Sequence, residues 1–243
     1  KQGDDLDYAH NLFVQSLAIA RKIKDERGES AVISSMADLA RNQGELIKAE
    51  KLYNESLEIA KRIAYIQRIS TNLGGLAEIA RIRGDVEYAE ESLCMNLSLS
   101  REHGYRRGEA INLAELGKIA RYRRDFSKAE KLYGQSLKIN REIEHTMGVA
   151  TCLGSIAYIA RQLNNPGRAK ALYEEALQMS IDSGGRKGIA INLAELARMS
   201  SDEDDSEKAL EQYQESLTIN EDIDDKRGIA QVLSGIGHVH MKC

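Results

Sequence analysis

A forty-residue period runs through the chain and limits its fold more than any other feature. Gly28, Gly108, Gly148, Gly188 and Gly228 fall in one register, as do Ala49, Ala89, Ala129, Ala169 and Ala209, and Leu57, Leu97, Leu137, Leu177 and Leu217. Two echoes are nearly verbatim: AINLAEL at 110–116 returns at 190–196, and KAEKLY at 48–53 returns at 128–133. A fixed period of this size marks a solenoid of small stacked units, each burying its apolar face on its neighbours. Such an array displays a long surface, and function is to be sought there.

One period holds two helices. In EAINLAELGKIARY (109–122), Leu113, Leu116, Gly117 and Ala120 share a face at helical spacing. A second helix is predicted over 126–142, with Ala129, Leu132, Tyr133, Ser136, Leu137 and Ile143 as its stripe. The joint between them reads Gly44-Glu45, Gly84-Asp85, Arg124-Asp125, Asn164-Asn165 and Asp204-Asp205 in successive units. Gly or Asn suits a left-handed helix end, and Asp or Asn suits the cap of the next helix. Pro166, the single proline, follows Asn165 at the favoured first helical position. A short polar link ending in Gly148 is expected to open the next unit. With no Trp and two Phe, the core is expected to rest on Leu, Ile and Ala.

The period divides the chain into a half repeat (1–28), repeats 29–68, 69–108, 109–148, 149–188 and 189–228, and a half repeat (229–243): one all-α solenoid of about twelve antiparallel helices. Neither end shows a polar capping unit. A segment of a longer protein, or ends that pack on another copy, would account for this.

The net charge of −4 argues against nucleic-acid binding by the chain as a whole. Its distribution is uneven. Six Lys/Arg lie between Tyr105 and Arg124 against Glu109 and Glu115, and eleven Asp/Glu lie between Ser201 and Asp225 against Lys208 alone. No apolar run approaches the ~20 residues that span a bilayer, and no signal peptide is visible, so a cytoplasmic location is the default. Cys94, Cys152 and Cys243 share no spacing and read as buried or half-buried free thiols.

Catalytic and cofactor motifs do not emerge. His238 and His240 are two apart on a helix and diverge by ~200°, so with Cys243 they make a poor metal site. The run Asp202-Glu203-Asp204-Asp205 lacks the ligand spacing of a calcium loop. Glycine-rich phosphate loops and metalloprotease pairs are missing, and His10, His103 and His145 have no evident nucleophile. No enzyme and no cofactor are expected.

The pattern resembles the tetratricopeptide repeat. Leu113, Leu116-Gly117, Phe126, Ala129, Tyr133 and Ser136 stand where that motif has its Leu, Leu-Gly, early small and aromatic residues and late small residue. Leu76-Ala77 with Ala89, and Leu196-Ala197 with Ala209 and Tyr213, follow suit. The usual proline after the second helix is missing, and the period is longer than the standard unit. The longer variant is similar to arrays of bacterial nucleotide-binding, oligomerising signalling proteins, to kinesin light chain and to spindle-orientation adaptors. The resemblance implies a right-handed α-α superhelix whose concave face recognises a peptide or protein.

In the family that groove is lined by the first helices. With Leu113 and Ala120 facing the core, Ile111, Ala114, Lys118 and Tyr122 point away and Arg121 lies at the edge. Two ladders result. One is Arg41, Arg81, Arg121 and Arg161, broken at Ser201; the other is Asp38, Glu78, Lys118, Tyr158, Arg198 and His238. The arginines either grip carboxylates or phosphates through their forks, or serve the last carbonyls and the dipole of their own helices. The varied ladder is either the seat of specificity or ordinary surface drift. Ser34, Gly74, Ala114, Gly154, Ala194 and Ser234 form a small-residue stripe with room for a ligand backbone or for helix packing. Asn72, Asn112 and Asn192 are not at the family's peptide-clamping position, where this chain has Gly75, Glu115 and Glu195; an inter-repeat hydrogen bond is expected of them.

The expected function is a non-catalytic scaffold that binds a protein or peptide, the arginines favouring an acidic one. The alternative is a sensor segment that restrains a linked ATPase, DNA-binding or protease domain. Nucleic-acid binding by the basic middle is a weaker reading, a membrane partner is not expected, and self-association through uncapped ends stays open.

Overall fold

A computed structural model describes residues 2–242, with side chains described for Leu6 and from Tyr8 onward. Among the described residues the chain is all helical, in the order α1 (Gln2–Lys22), α2 (Glu26–Asn42), α3 (Leu46–Arg62), α4 (Ile66–Arg83), α5 (Val86–Glu102), α6 (Arg106–Tyr122), α7 (Phe126–Glu142), α8 (Thr146–Gln162), α9 (Pro166–Asp182), α10 (Arg186–Asp202), α11 (Ser206–Asp222) and α12 (Lys226–Lys242). Even-numbered helices are first helices of a repeat, and odd-numbered ones are second helices. The chain divides into two compact units, one up to Ile119 and one from Ala120, the boundary falling inside α6. None of these helices is long and apolar enough to cross a membrane.

The turns follow one rule. A residue with positive φ recurs every twenty residues from Lys24 to Asp224, at glycines such as Gly84 (φ 88°) and at non-glycines such as Arg124 (63°), Asn164 (57°) and Asp204 (61°). The residue after it donates its N–H five residues back. Asp85 bonds to the Ala80 carbonyl, Asp125 to Ala120, His145 to Asn140 and Asn165 to Ala160, all at 2.8–2.9 Å. This is the six-to-one bond of a Schellman turn, which satisfies a carbonyl the helix end would orphan. A left-handed non-glycine costs on the order of 1 kcal/mol, offset by that bond and by the next cap. The side chains of Asp85, Asp125, Asn165 and Asp205 accept the N–H of Tyr88, Lys128, Arg168 and Lys208. Pro166 opens α9 as the first helical residue.

Two sequence expectations about these turns need adjustment. Gly148 does not end a link but lies in the first turn of α8, and α6 starts at Arg106, a turn earlier than its apolar pattern suggests. The register glycine is set by crowding, not by φ. A Cβ on Gly148 would meet the side chains of Asn140 and His145, and one on Gly228 would meet Asn220. The exception supports this: Arg68 stands in the glycine register opposite the small Ala60.

Within each unit, first and second helices pack as hairpins (α2 on α3, α4 on α5, α8 on α9, α10 on α11), and second helices pack on the next first helix (α1 on α2, α3 on α4, α7 on α8, α9 on α10, α11 on α12). First helices also touch each other, α2 with α4, α8 with α10, and α10 with α12, so they crowd along an inner side of each unit. Ala37, Ala49, Ala89, Ala129, Ala157, Ala169, Ala197 and Ala209 are fully buried at the crossings. The core also departs from the composition-based expectation: its largest fully buried side chains include Tyr53, Tyr133 and Tyr173. Tyrosine fits because its ring fills the space between a hairpin and the next repeat while its hydroxyl reaches the polar inner side. Gly75 and Gly235 make room, since a Cβ at either would strike the Tyr53 or Tyr213 ring.

The asparagines bond between repeats, as the sequence suggests. Asn72 Nδ2 donates to Ser56 Oγ (2.8 Å), Asn112 Nδ2 to Ser100 Oγ (3.2 Å) and Asn192 Nδ2 to Ser180 Oγ (3.3 Å). Asn96 Nδ2 reaches both the Ser70 carbonyl and Asn112 Oδ1 at 2.9 Å. Cys152 is buried as expected, but Cys94 is exposed; its place directly after the core residue Leu93 turns it ~100° out of the buried face of α5. Cys243 lies outside the described residues. His238 Nδ1 sits 2.7 Å from the Ser234 carbonyl of its own helix, and among the described residues no three metal-ligating side chains cluster.

Two stability predictions arise from this packing. Asn96→Ala leaves the buried Asn112 Oδ1 without this donor and removes the second bond to the Ser70 carbonyl, so urea unfolding should show a loss of about 2 kcal/mol. Gly148→Ala should cost about 1–3 kcal/mol through overpacking. In Asn140→Ala/Gly148→Ala the loss should fall short of the sum of the single losses by about 1 kcal/mol, a coupling read from the double-mutant cycle.

Candidate functional site

The ladder residues share one side of the first helices because the period is also a helical register. Residues 38, 78, 118, 158 and 198 sit near the end of each first helix, three before the register of the arginine strip at 41, 81, 121 and 161. An i,i+3 spacing brings the two ladders into contact. Each unit has its own recess on this side.

In the first unit a recess of about 330 Å³ is lined by Asp38, Arg41, Glu78 and Lys118 of the ladders, joined by Glu115, Gly74 and Tyr105. Its charges are matched. Arg41 pairs with Asp38 at 3.3 Å, Lys118 pairs with Glu115 at 2.5 Å, and Arg81 holds Glu78 with a two-pronged grip at 2.9 and 2.7 Å. The Arg81 hydrogen bond lowers the Glu78 pKa against the opposing effect of burial, and the Lys118 and Arg41 charges assist. Tyr53 donates its hydroxyl to Asp38 Oδ1 at 2.6 Å, and burial together with that bond raises its pKa.

In the second unit the recess is larger, about 550 Å³, and less polar. Arg121 and Tyr158 line it, with Gly154, Ile191 and Met147 on its walls and Tyr173 and Glu195 beside them. Tyr158 replaces a charge in its ladder, and its ring takes two guanidinium groups, Arg121 at 4.9 Å and Arg161 at 5.8 Å from the centroid. Arg161 and Arg198 share a single carboxylate, Glu195, at 3.6 and 3.7 Å. Two arginines thus share one glutamate while Arg121 rests on the ring, so this side carries an excess of positive charge where the first recess is balanced. Arg186 and Lys187 stand at its edge, paired with Asp222 (2.5 Å) and Asp225 (2.8 Å).

Among the described residues the arginine strip makes no hydrogen bond to a helix-end carbonyl. Its partners there are carboxylates or an aromatic ring, and among the described residues Arg121 meets the ring alone. Sequence reasoning missed two contributors. Glu115 and Glu195 carry the countercharge, and Tyr53 and Tyr173 bring hydroxyls up from the second helices. The signal for the glutamates was their i−3 spacing from Lys118 and Arg198. The tyrosines carried no such signal, because their stripe position reads as core.

Residues 109–182 match the family model of the tetratricopeptide repeat. No curated protein matches the chain in sequence. In fold it is similar to BtubC (BKLC) from P. vanneervenii, at 21% identity and a TM-score of 0.72 over 90% of this chain and 92% of that one. It is also similar to the Signal Transduction ATPase with Numerous Domains PH0952 from Pyrococcus horikoshii, which has a tetratricopeptide repeat sensor (19%, TM-score 0.69, 97% of this chain and 40% of that one). A third likeness is to Rap protein complexed with competence and sporulation factor (13%, TM-score 0.71, 87% of this chain and 63% of that one). The chain spans less than two thirds of the last two proteins, and all three likenesses are of fold. Residues 109–182 thus carry tetratricopeptide repeats, and the helix pairs on either side of them continue the same fold, that of a tetratricopeptide-like helical array.

Proposed function

We propose that the chain is a non-catalytic binding module that holds a protein or peptide segment against the inner side of its first helices, with a preference for acidic segments in the second unit. The observation that carries this reading is the charge imbalance there. Arg121 lines a largely apolar recess, and the one glutamate in its wall, Glu195, is already shared between Arg161 and Arg198. Arg121 faces the recess with its guanidinium engaged only by the Tyr158 ring. A carboxylate arriving there gains a charge-assisted bond without displacing an existing ion pair. The Rap structure bound to competence and sporulation factor agrees with ligand binding by such a fold. Reading the array as a sensor arm has its own support in the likeness to the sensor-bearing ATPase; it would use the same recess, with the bound segment as the signal.

The strip is not uniform in this reading. Arg81 is committed to Glu78 by two hydrogen bonds, and Arg41 to Asp38, so these serve the architecture of the first recess. On an array of immobilised peptides, acidic-apolar sequences should be retained over basic ones. Arg121→Ala should weaken retention about tenfold, the worth of one hydrogen bond to a charged group. Arg81→Ala should change it by less than about threefold, in keeping with an exposed pair. Equal retention by Arg121→Ala and the parent chain would overturn the role of Arg121, and no retention of any peptide class would overturn the module.

A further inference from the structure

The tyrosines of the second helices meet different fates in the two units. Tyr53 gives its hydroxyl proton to Asp38. Tyr173 holds the same register three repeats on, but the register of Asp38 is there occupied by Tyr158, which offers no carboxylate. The Tyr173 side chain is 2% exposed and lines the 550 Å³ recess; Arg161 donates toward its oxygen, but no acceptor takes its hydroxyl proton. The nearby carboxylate comes instead from the next first helix, as Glu195, and it stops short. Its Oε2 lies 3.6 Å from the Arg161 guanidinium, and both Glu195 Oε2 and Arg161 Nε are buried without a hydrogen bond. Arg161 donates toward the Tyr173 oxygen, and Glu195 lines the same recess and acts on it electrostatically, so the three groups form one cluster.

The Tyr173 hydroxyl proton, the Arg161 Nε–H and Glu195 Oε2 thus lie together without their bonds. Buried polar groups are almost always satisfied, and orphans ask for a missing partner. A site that breaks this rule beside a recess is where a ligand would supply it. The missing partner must offer an N–H to Glu195 and an oxygen to Tyr173. An extended peptide residue does both, because its own N–H and C=O point to the same side, as in a hydrogen-bonded strand pair. Its side chains stand across that direction, free to reach the rim. Gly154 leaves the opposite wall without a Cβ, where one would come 3.2 Å from Asn192 Oδ1.

We infer that the recess of the second unit reads peptide main chain: one extended residue of an acidic peptide gives its N–H to Glu195 Oε2 and takes the Tyr173 hydroxyl proton on its carbonyl, while a neighbouring carboxylate pairs with Arg121. This rests on the proposed peptide-binding role and names its site and anchors. In the first unit the equivalent hydroxyl is already satisfied by Asp38, so the anchor is confined to the second.

The test titrates acetyl-Leu-Glu-Leu-amide into the isotope-labelled full chain and follows backbone amides by NMR. Gly154, Ile191 and Asn192 should shift, and the Leu-Lys-Leu counterpart should leave them in place. Replacing each main-chain N–H of the probe by an ester oxygen in turn should weaken binding about tenfold or more at one position, the loss of a bond to a carboxylate. Tyr173→Phe should weaken binding several-fold while the Tm of the free protein holds or rises by about 2–4 °C, because an orphan is removed. A hydroxyl with a purely structural role would give the reverse, a lower Tm and unchanged affinity, and that would overturn the inference. Shifts confined to the recess of the first unit, or equal binding by every ester analogue, would overturn it too. If the peptide array retains acidic sequences while the tripeptide moves none of these amides, this anchor falls and the broader role stands; if the array retains nothing, the broader role falls as well.

Discussion

Everything else in this array depends on a turn that recurs every twenty residues. A left-handed residue, a six-to-one bond and a cap end one helix and start the next within three residues. Because the links never lengthen, nearly every helix from α2 onward spans seventeen residues. Equal helices joined by equal turns keep each side chain on the same face in every repeat. The buried alanines then meet at the crossings, the tyrosines lie beneath the inner side, and the ladders stand upon it.

That regular frame makes small departures chemically visible. Charges on the inner side of the first unit are closed into pairs, so the surface there is polar and nearly self-sufficient. In the second unit one ladder position turns from charge to aromatic at Tyr158. This leaves Glu195 shared between two arginines, Arg121 resting on a ring, and the Tyr173 hydroxyl without its carboxylate. Two repeats with the same backbone therefore offer different surfaces, one balanced and one positive with unmet hydrogen bonds. A ligand that brings both carboxylate and amide groups complements the second.

Much of the architecture was legible without coordinates. The joints at Gly84-Asp85 and Asn164-Asn165 announced the turn because left-handed and capping positions select few residue types. The asparagine bonds between repeats followed from their place on the packing side. The register glycine was visible but misplaced, since a glycine that yields to a neighbouring side chain such as Asn140 looks in sequence like one that breaks a helix. The tyrosines were read as stripe residues, with no hint that their hydroxyls reach the ligand side.

The sequence by itself determined the all-helical repeat, the phase of its helices and the two ladders, because periodicity and turn chemistry are local and repeat often enough to overrule single-residue noise. Only the tertiary structure decided which charges are already paired, since pairing depends on differences of about an ångström between helices. The 2.6 Å bond from Tyr53 to Asp38 and the 3.6 Å separation of Arg161 from Glu195 are alternatives no spacing rule distinguishes. That difference, set by how neighbouring repeats settle against each other, separates a closed polar surface from one that still has hydrogen bonds to give.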